Sequence, residues 1–302
     1  MYDRNDPRAQ LATATPAAAL PATFAGGEYG RFYDDAPQID DATGRSWFIR
    51  GQNFVLALTE ASPGASLARA VQADEYVVLV PQRGHEVEIR AGEEVKRITG
   101  PALVVVPPGP SQVTALSAGR IVRLVTAEAE DLVALCPNRA SYAEHRGNIP
   151  KFQPWPAPPE GYRIRAYSID VPPKPGRFGR IFRCTTFMVN ILDPQVGPRD
   201  ITKLSPHHHD DFEQCSLALE GAFVHHLRWP WTTDLNAWRN DDHAHFASPS
   251  ALVIPPPAIH TSRGLEPGTN QLVDIFSPPR TDFSRQDGWV LNAADYPDIP
   301  SE

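Results

Sequence analysis

Residues 205–221 read SPHHHDDFEQCSLALEG. The segment sets His207, His208 and His209 ahead of an apolar run, Cys215–Leu219, that has the composition of a buried strand. A solvated loop needs polarity but no consecutive imidazoles, and a core excludes them unless they are satisfied. In an extended chain residues two apart share a face, so His207 and His209 project together while His208 points away. Glu213 and Gln214 open the strand that follows and face opposite sides, so one of them joins the histidines. Strand parity alone leaves both open.

Downstream, the second half continues as short strands: AFVHHLRW, SALVIP with its prolines and His260, and NQLVDIF, preceded by RIFRCTTFMVNIL. The first half repeats this order with SWFIRGQNFVLALTEA, EYVVLV, HEVEIRA, PALVVVP and GRIVRLVTA. The 32 prolines mark joints, because proline is excluded from helix interiors and central strands. Only AEDLVALC and SYAEHR have helical character. Matching segments, ALVVVPPGPSQV and ALVIPPPAIHTS, indicate a duplicated β-domain. The proline-rich stretch between the halves reads as a linker. The expected organisation is an arm over 1–44, a first barrel over 45–136, a linker over 137–165, a second barrel over 166–285 and a tail over 286–302.

HHHDDFEQCSLALEG and VIPPPAIH resemble the two motifs of the cupin superfamily, G-x5-H-x-H-x(3,4)-E-x6-G and G-x5-P-x-G-x2-H-x3-N, with Pro257 at a position where the family usually has glycine. The resemblance implies an all-β protein of two tandem cupin-type double-stranded β-helix, or jelly-roll, barrels. It also implies one divalent transition metal, iron, manganese, zinc or nickel, held in the second barrel by His207, His209, His260 and either Gln214 or Glu213. In the first half Ala70 and Gln72, or Arg69 and Val71, replace the histidine pair and Gln112 replaces His260, so that barrel is expected to hold no metal.

Composition agrees with a globular chain: 302 residues, 41% hydrophobic and 21% charged. A formal charge of −8 without a dense basic run argues against nucleic acid and anionic membrane surfaces as partners. Three widely spaced cysteines form neither a disulfide framework nor a zinc knuckle, which points to a reducing, cytoplasmic setting. The opening AQLATATPAAALPATFAG lacks the basic start and unbroken apolar run of a signal peptide and reads as an arm. Strand edges invite pairing, so a homodimer is the expected assembly.

No nucleophile elbow, P-loop or dinucleotide fingerprint is present, which leaves metal chemistry on a small-molecule substrate. The leading reading is an iron(II) dioxygenase-type enzyme acting on a small oxygen-rich organic acid. Its alternatives are a manganese or zinc isomerase, decarboxylase or hydrolase, and a non-catalytic binding protein. Arg228, then Arg183, offers a guanidinium fork to an anionic substrate, and His226 shares a strand face with Arg228. A second H-x-H, His243 and His245, lies in a polar connection and reads as a solvated strand edge.

Overall fold

A computed structural model describes residues 23–177 and 179–300, so the arm is seen only from Thr23 onward. Each half closes two sheets over each other. In the first, a large sheet runs β12 (Arg165–Ser168), β9 (Ala102–Val106), β6 (Tyr76–Val80), β11 (Gly119–Thr126), β4 (Phe54–Ala61), β3 (Gly44–Arg50), β2 (Ile39–Asp41). It faces a smaller sheet of β5 (Ser66–Arg69), β10 (Ser111–Ala115), β7 (Glu86–Ala91) and β8 (Glu94–Thr99). In the second, the large sheet runs β1 (Glu28–Gly30), β19 (Ser250–Ile254), β16 (Glu213–Glu220), β21 (Thr269–Ser277), β14 (Met188–Leu192), β13 (Gly179–Arg183), with β15 (Gln195–Val196) beside β21. Its partner is β18 (Asp242–Phe246), β17 (Phe223–Arg228) and β20 (Ile259–Gly264). The expected pair of jelly-roll barrels is therefore present. Helix is confined to short turns, α1 (Glu130–Val133) within AEDLVALC and α2 (Thr281–Ser284) among the described residues, and SYAEHR begins in a 3-10 turn, Arg139–Tyr142.

Strand composition explains the layering. In β7, whose outer face is wet, Val87, Ile89 and Ala91 are buried and alternate with polar residues. Strands β6 and β9 are buried at every position because both faces are covered. One face, with Val78, Val104 and Ile121, fills the first barrel together with Ile89 and Val113 of the small sheet. The other, with Leu56, Leu79 and Leu124, packs against Cys215, Leu217, Val253 and Ile275 of the second barrel. The two barrels thus share one core through the backs of their large sheets.

The halves are related residue by residue. Phe54 and Phe187 meet edge to face with ring centres 6.5 Å apart. The carboxylate of Glu75 accepts hydrogen bonds from Thr185 N (3.0 Å) and Thr185 Oγ1 (2.8 Å) across the interface. Reciprocally, Glu213 accepts from Gln52 N (2.8 Å) and Asn53 N (2.9 Å). Strands are exchanged as well: β1 precedes the first barrel but pairs with β19 of the second, and β12 pairs with β9 of the first.

Candidate metal centre

His207 and His260 face one another as an isolated antiparallel bridge, with His207 N on His260 O at 3.1 Å and His260 N on His207 O at 2.8 Å. The bridge lays the approach to β16 beside the start of β20, and His209 follows two residues on. One ring nitrogen from each of His207, His209 and His260 lies within 4.8 Å of the others. Gln214, the second residue of β16, pairs with Ile254 and Phe276 and turns its side chain to the histidines. Its Oε1 is 3.0 Å from His209 Nε2 and 3.2 Å from His260 Nε2.

Hydrogen bonds fix what these atoms offer. His260 Nδ1 lies 2.9 Å from Ala258 O, and His207 Nδ1 lies 2.8 Å from Ser205 O. A carbonyl only accepts, so each Nδ1 carries the proton and each Nε2 keeps its lone pair. Gln214 Nε2 donates to Asp274 Oδ1 and to Ser216 Oγ, both at 3.1 Å, which turns Oε1 toward the imidazoles. Ser216 Oγ also donates to Asp274 Oδ1, at 2.7 Å. His260 Nε2 and Gln214 Oε1 therefore confront each other lone pair to lone pair, an arrangement that a cation between them satisfies. The donor set, three imidazoles and an amide oxygen, with the outer nitrogens of His207 and His260 held by backbone carbonyls and that of Gln214 by Asp274 and Ser216, fits a divalent transition metal.

Electrostatics keep His209 and His260 neutral. Burial first, then the field of Arg280 and the neighbouring imidazoles, pushes His209 far below the ordinary histidine range. Burial, then His207, brings His260 down to about 3 against the hydrogen bond to Ala258. Asp274 is enclosed, and desolvation raises it to about 6 against the bonds from Ser216 and Gln214 and the field of Arg280. Arg280, on the turn after β21, stacks its guanidinium 3.7 Å from the Phe283 ring centre and 5.0 Å from that of Phe212. Phe212 in turn lies 4.3 Å from the His209 ring.

The remaining sequence candidates are placed elsewhere. Glu213 is buried in the interbarrel contact, where burial lifts it to about 7 against two backbone donors. Arg228 is exposed and forms a two-nitrogen ion pair with Asp241. Arg183 is buried under Trp155, its ring centre 4.8 Å away, and its guanidinium donates to Tyr296 O and Asp298 O. Its backbone is clamped by Asn292 as that of Arg50 is by Asn138, so it repeats a structural position of the first half. His226 Nδ1 meets His243 Nδ1 at 2.8 Å on the outer strand pair. Sequence reasoning missed Asp274 and Arg280; the first lies in an apolar strand, NQLVDIF, where a lone acid is itself a signal. A cleft of about 310 Å³ lined by Tyr29, Phe32, Trp47 and Asn138 lies away from the histidines.

No family model matches the sequence, and no curated protein does. Solved structures do match the fold. An oxalate decarboxylase from Lactobacillus farciminis, crystallised as a formate complex, superposes with a TM-score of 0.56 at 14% identity, over 83% of this chain and 86% of the other. A second oxalate decarboxylase gives 0.54 at 12%, over 85% and 78%. The vicilin of hazelnut, Corylus avellana, gives 0.53 at 13%, over 82% and 85%. The shared feature is the two-barrel bicupin fold. No described helix is long and apolar enough to cross a membrane.

Proposed function

We propose that this bicupin chain is a metal-dependent enzyme acting on a small oxygen-rich organic acid, with a dioxygenase-type reaction at an iron(II) site in the second barrel. The observation that carries the reading is the convergence of His260 Nε2, His209 Nε2 and Gln214 Oε1 in a buried setting where outer hydrogen bonds aim the lone pairs of His260 and Gln214 inward. Four neutral protein donors leave the full charge of a divalent ion uncompensated and two octahedral positions open, which suits an anionic substrate and dioxygen together. His207 is only half-buried and gives the site its open side. Gln214 is oriented by Asp274 and Ser216, and the Phe212 and Phe276 rings beside His209 exclude water. Arg280 stands over those same rings with its guanidinium in a two-nitrogen ion pair with Asp282, so a substrate carboxylate would reach it only in exchange for Asp282.

The test is an oxygen electrode run in parallel with carbon dioxide capture, on untagged iron-loaded protein and a panel of small carboxylic acids and catechols. Substrate-dependent oxygen uptake abolished by a chelator is the expected result. Carbon dioxide release without oxygen uptake would replace the dioxygenase with a Lewis-acid decarboxylase, and full turnover after metal removal would overturn the metal-dependent reading altogether.

A further inference from the structure

Strand register gives each member of the metal site a counterpart in the first barrel. Tyr76 pairs with Val106, just before Pro107, as Gln214 pairs with Ile254, just before Pro255. Ser111 stands opposite Arg69, as His260 stands opposite His207. Arg123 pairs with Val78, two residues beyond Tyr76, as Asp274 pairs with Ser216, two beyond Gln214. Where the second barrel gathers neutral donors and a carboxylate, the first gathers two guanidinium groups and two hydroxyls. The equivalent positions thus carry cations where the second barrel has a carboxylate.

These groups are buried, and one lacks a partner. Tyr76 OH and Ser111 Oγ are 3.0 Å apart. Arg69 is neutralised by Asp131, through Nη1 and Nη2, and donates Nε to Gln72 Oε1 at 3.0 Å. Arg123 is 5% exposed, its Nε has no hydrogen-bond partner, and it forms no ion pair among the described residues. It lies on the inward face of β11, between Ile121 and Val125, which belong to the core of the first barrel. Guanidinium does not give up its proton, so an enclosed, unpaired one is costly until an anion meets it. Burial lowers Arg123; Tyr76 and Asp131 act in the opposite sense, and the field of Arg69 adds to the lowering.

We propose that the first barrel binds a small carboxylate anion at Arg123, with the hydroxyls of Tyr76 and Ser111 as further donors and the Arg69–Asp131 pair closing the mouth. The planar fork of the guanidinium matches a carboxylate in two parallel hydrogen bonds, and hydroxyls complete the remaining lone pairs. The inference rests on the fold and on Arg123, independently of the metal reading of the second barrel.

Equilibrium dialysis of radiolabelled acetate against the full-length protein tests it, in wild type and in the His207→Ala/His209→Ala variant, which isolates the first barrel from any metal-bound acetate. Acetate binding is expected to persist in the double variant and to weaken at least about 10-fold when Arg123→Met is added, because a buried charged partner is lost. Arg123→Met alone should melt no lower than wild type in acetate-free buffer, since it removes a lone buried charge. Should that variant fail to fold, Arg123→Lys, which keeps the charge and loses the fork, should show the same order of weakening. No acetate binding, binding that disappears with the histidines, or binding indifferent to either Arg123 substitution would overturn the site. Displacement of acetate by inorganic phosphate at far lower concentration would overturn its assignment to carboxylates.

Discussion

A single amide orientation turns the Gln214 oxygen toward the candidate metal centre. Asp274 and Ser216 take its nitrogen, leaving its oxygen to the imidazoles, while the neighbouring Glu213 is spent on the backbone of the other barrel. Gln214→Ala is therefore expected to weaken metal binding by at least about 10–100-fold, and Asp274→Asn by about 10-fold. Glu213→Gln should leave it within a factor of a few; competition with a chromophoric chelator reads all three. Strand parity in the sequence showed that Glu213 and Gln214 face opposite ways, but not which way was inward, because that depends on pairing with β19 and β21, remote in sequence. His225 makes a separate prediction. It is buried against Ser262, and burial, then His226, lowers it to about 4. Since the unfolded chain holds that proton at ordinary values near 6.5, the stability His225 contributes is present above about pH 6.5 and is lost as pH falls toward 4. The difference in denaturation midpoint between wild type and His225→Asn should change over that window, in the direction of a steeper acid loss for wild type; a pH-independent difference would contradict the shift.

At the level of elements, turns decide which residues meet. The sequence alignment of PPGPSQ with PPPAIH placed Gln112 against His260, but the residue paired with Arg69 is Ser111, five positions after Val106, whereas His260, paired with His207, stands six after Ile254. Such an offset is invisible to local pattern, since a slip of one residue reverses every side chain. The hairpin joining β16 to β17 depends on Gly221, whose φ is +87° and whose added Cβ would lie 2.6 Å from Asn270 Oδ1 and 2.8 Å from Thr269 O. Gly221→Ala is expected to cost at least about 1–2 kcal/mol from the left-handed backbone alone, measured by urea denaturation. An unchanged midpoint would show that the turn relaxes freely. The strands themselves were legible from Val, Ile and Leu runs between prolines. The helix α2 was not, because Thr281–Ser284 holds a single apolar residue, whereas AEDLVALC around α1 repeats them.

On the scale of the molecule, duplication was readable in the repeated order of strands and prolines, and it predicts two barrels. Their manner of joining was not, since the pairing of β1 with β19 and the reciprocal Glu75 and Glu213 contacts link segments more than a hundred residues apart. That joining gives the first barrel a structural role whatever it binds: Leu56 and Leu79 cover Leu217 and Ile275 behind the metal site. The fold is therefore expected not to depend on an ion, in contrast to small metal-stabilised domains. Metal analysis of untagged wild type and of His207→Ala/His209→Ala, with circular dichroism on both, tests the central claim most directly. One transition-metal ion per wild-type chain, none in the variant and the same β-rich spectrum in each is the predicted result; stoichiometric metal retained in the variant would contradict it.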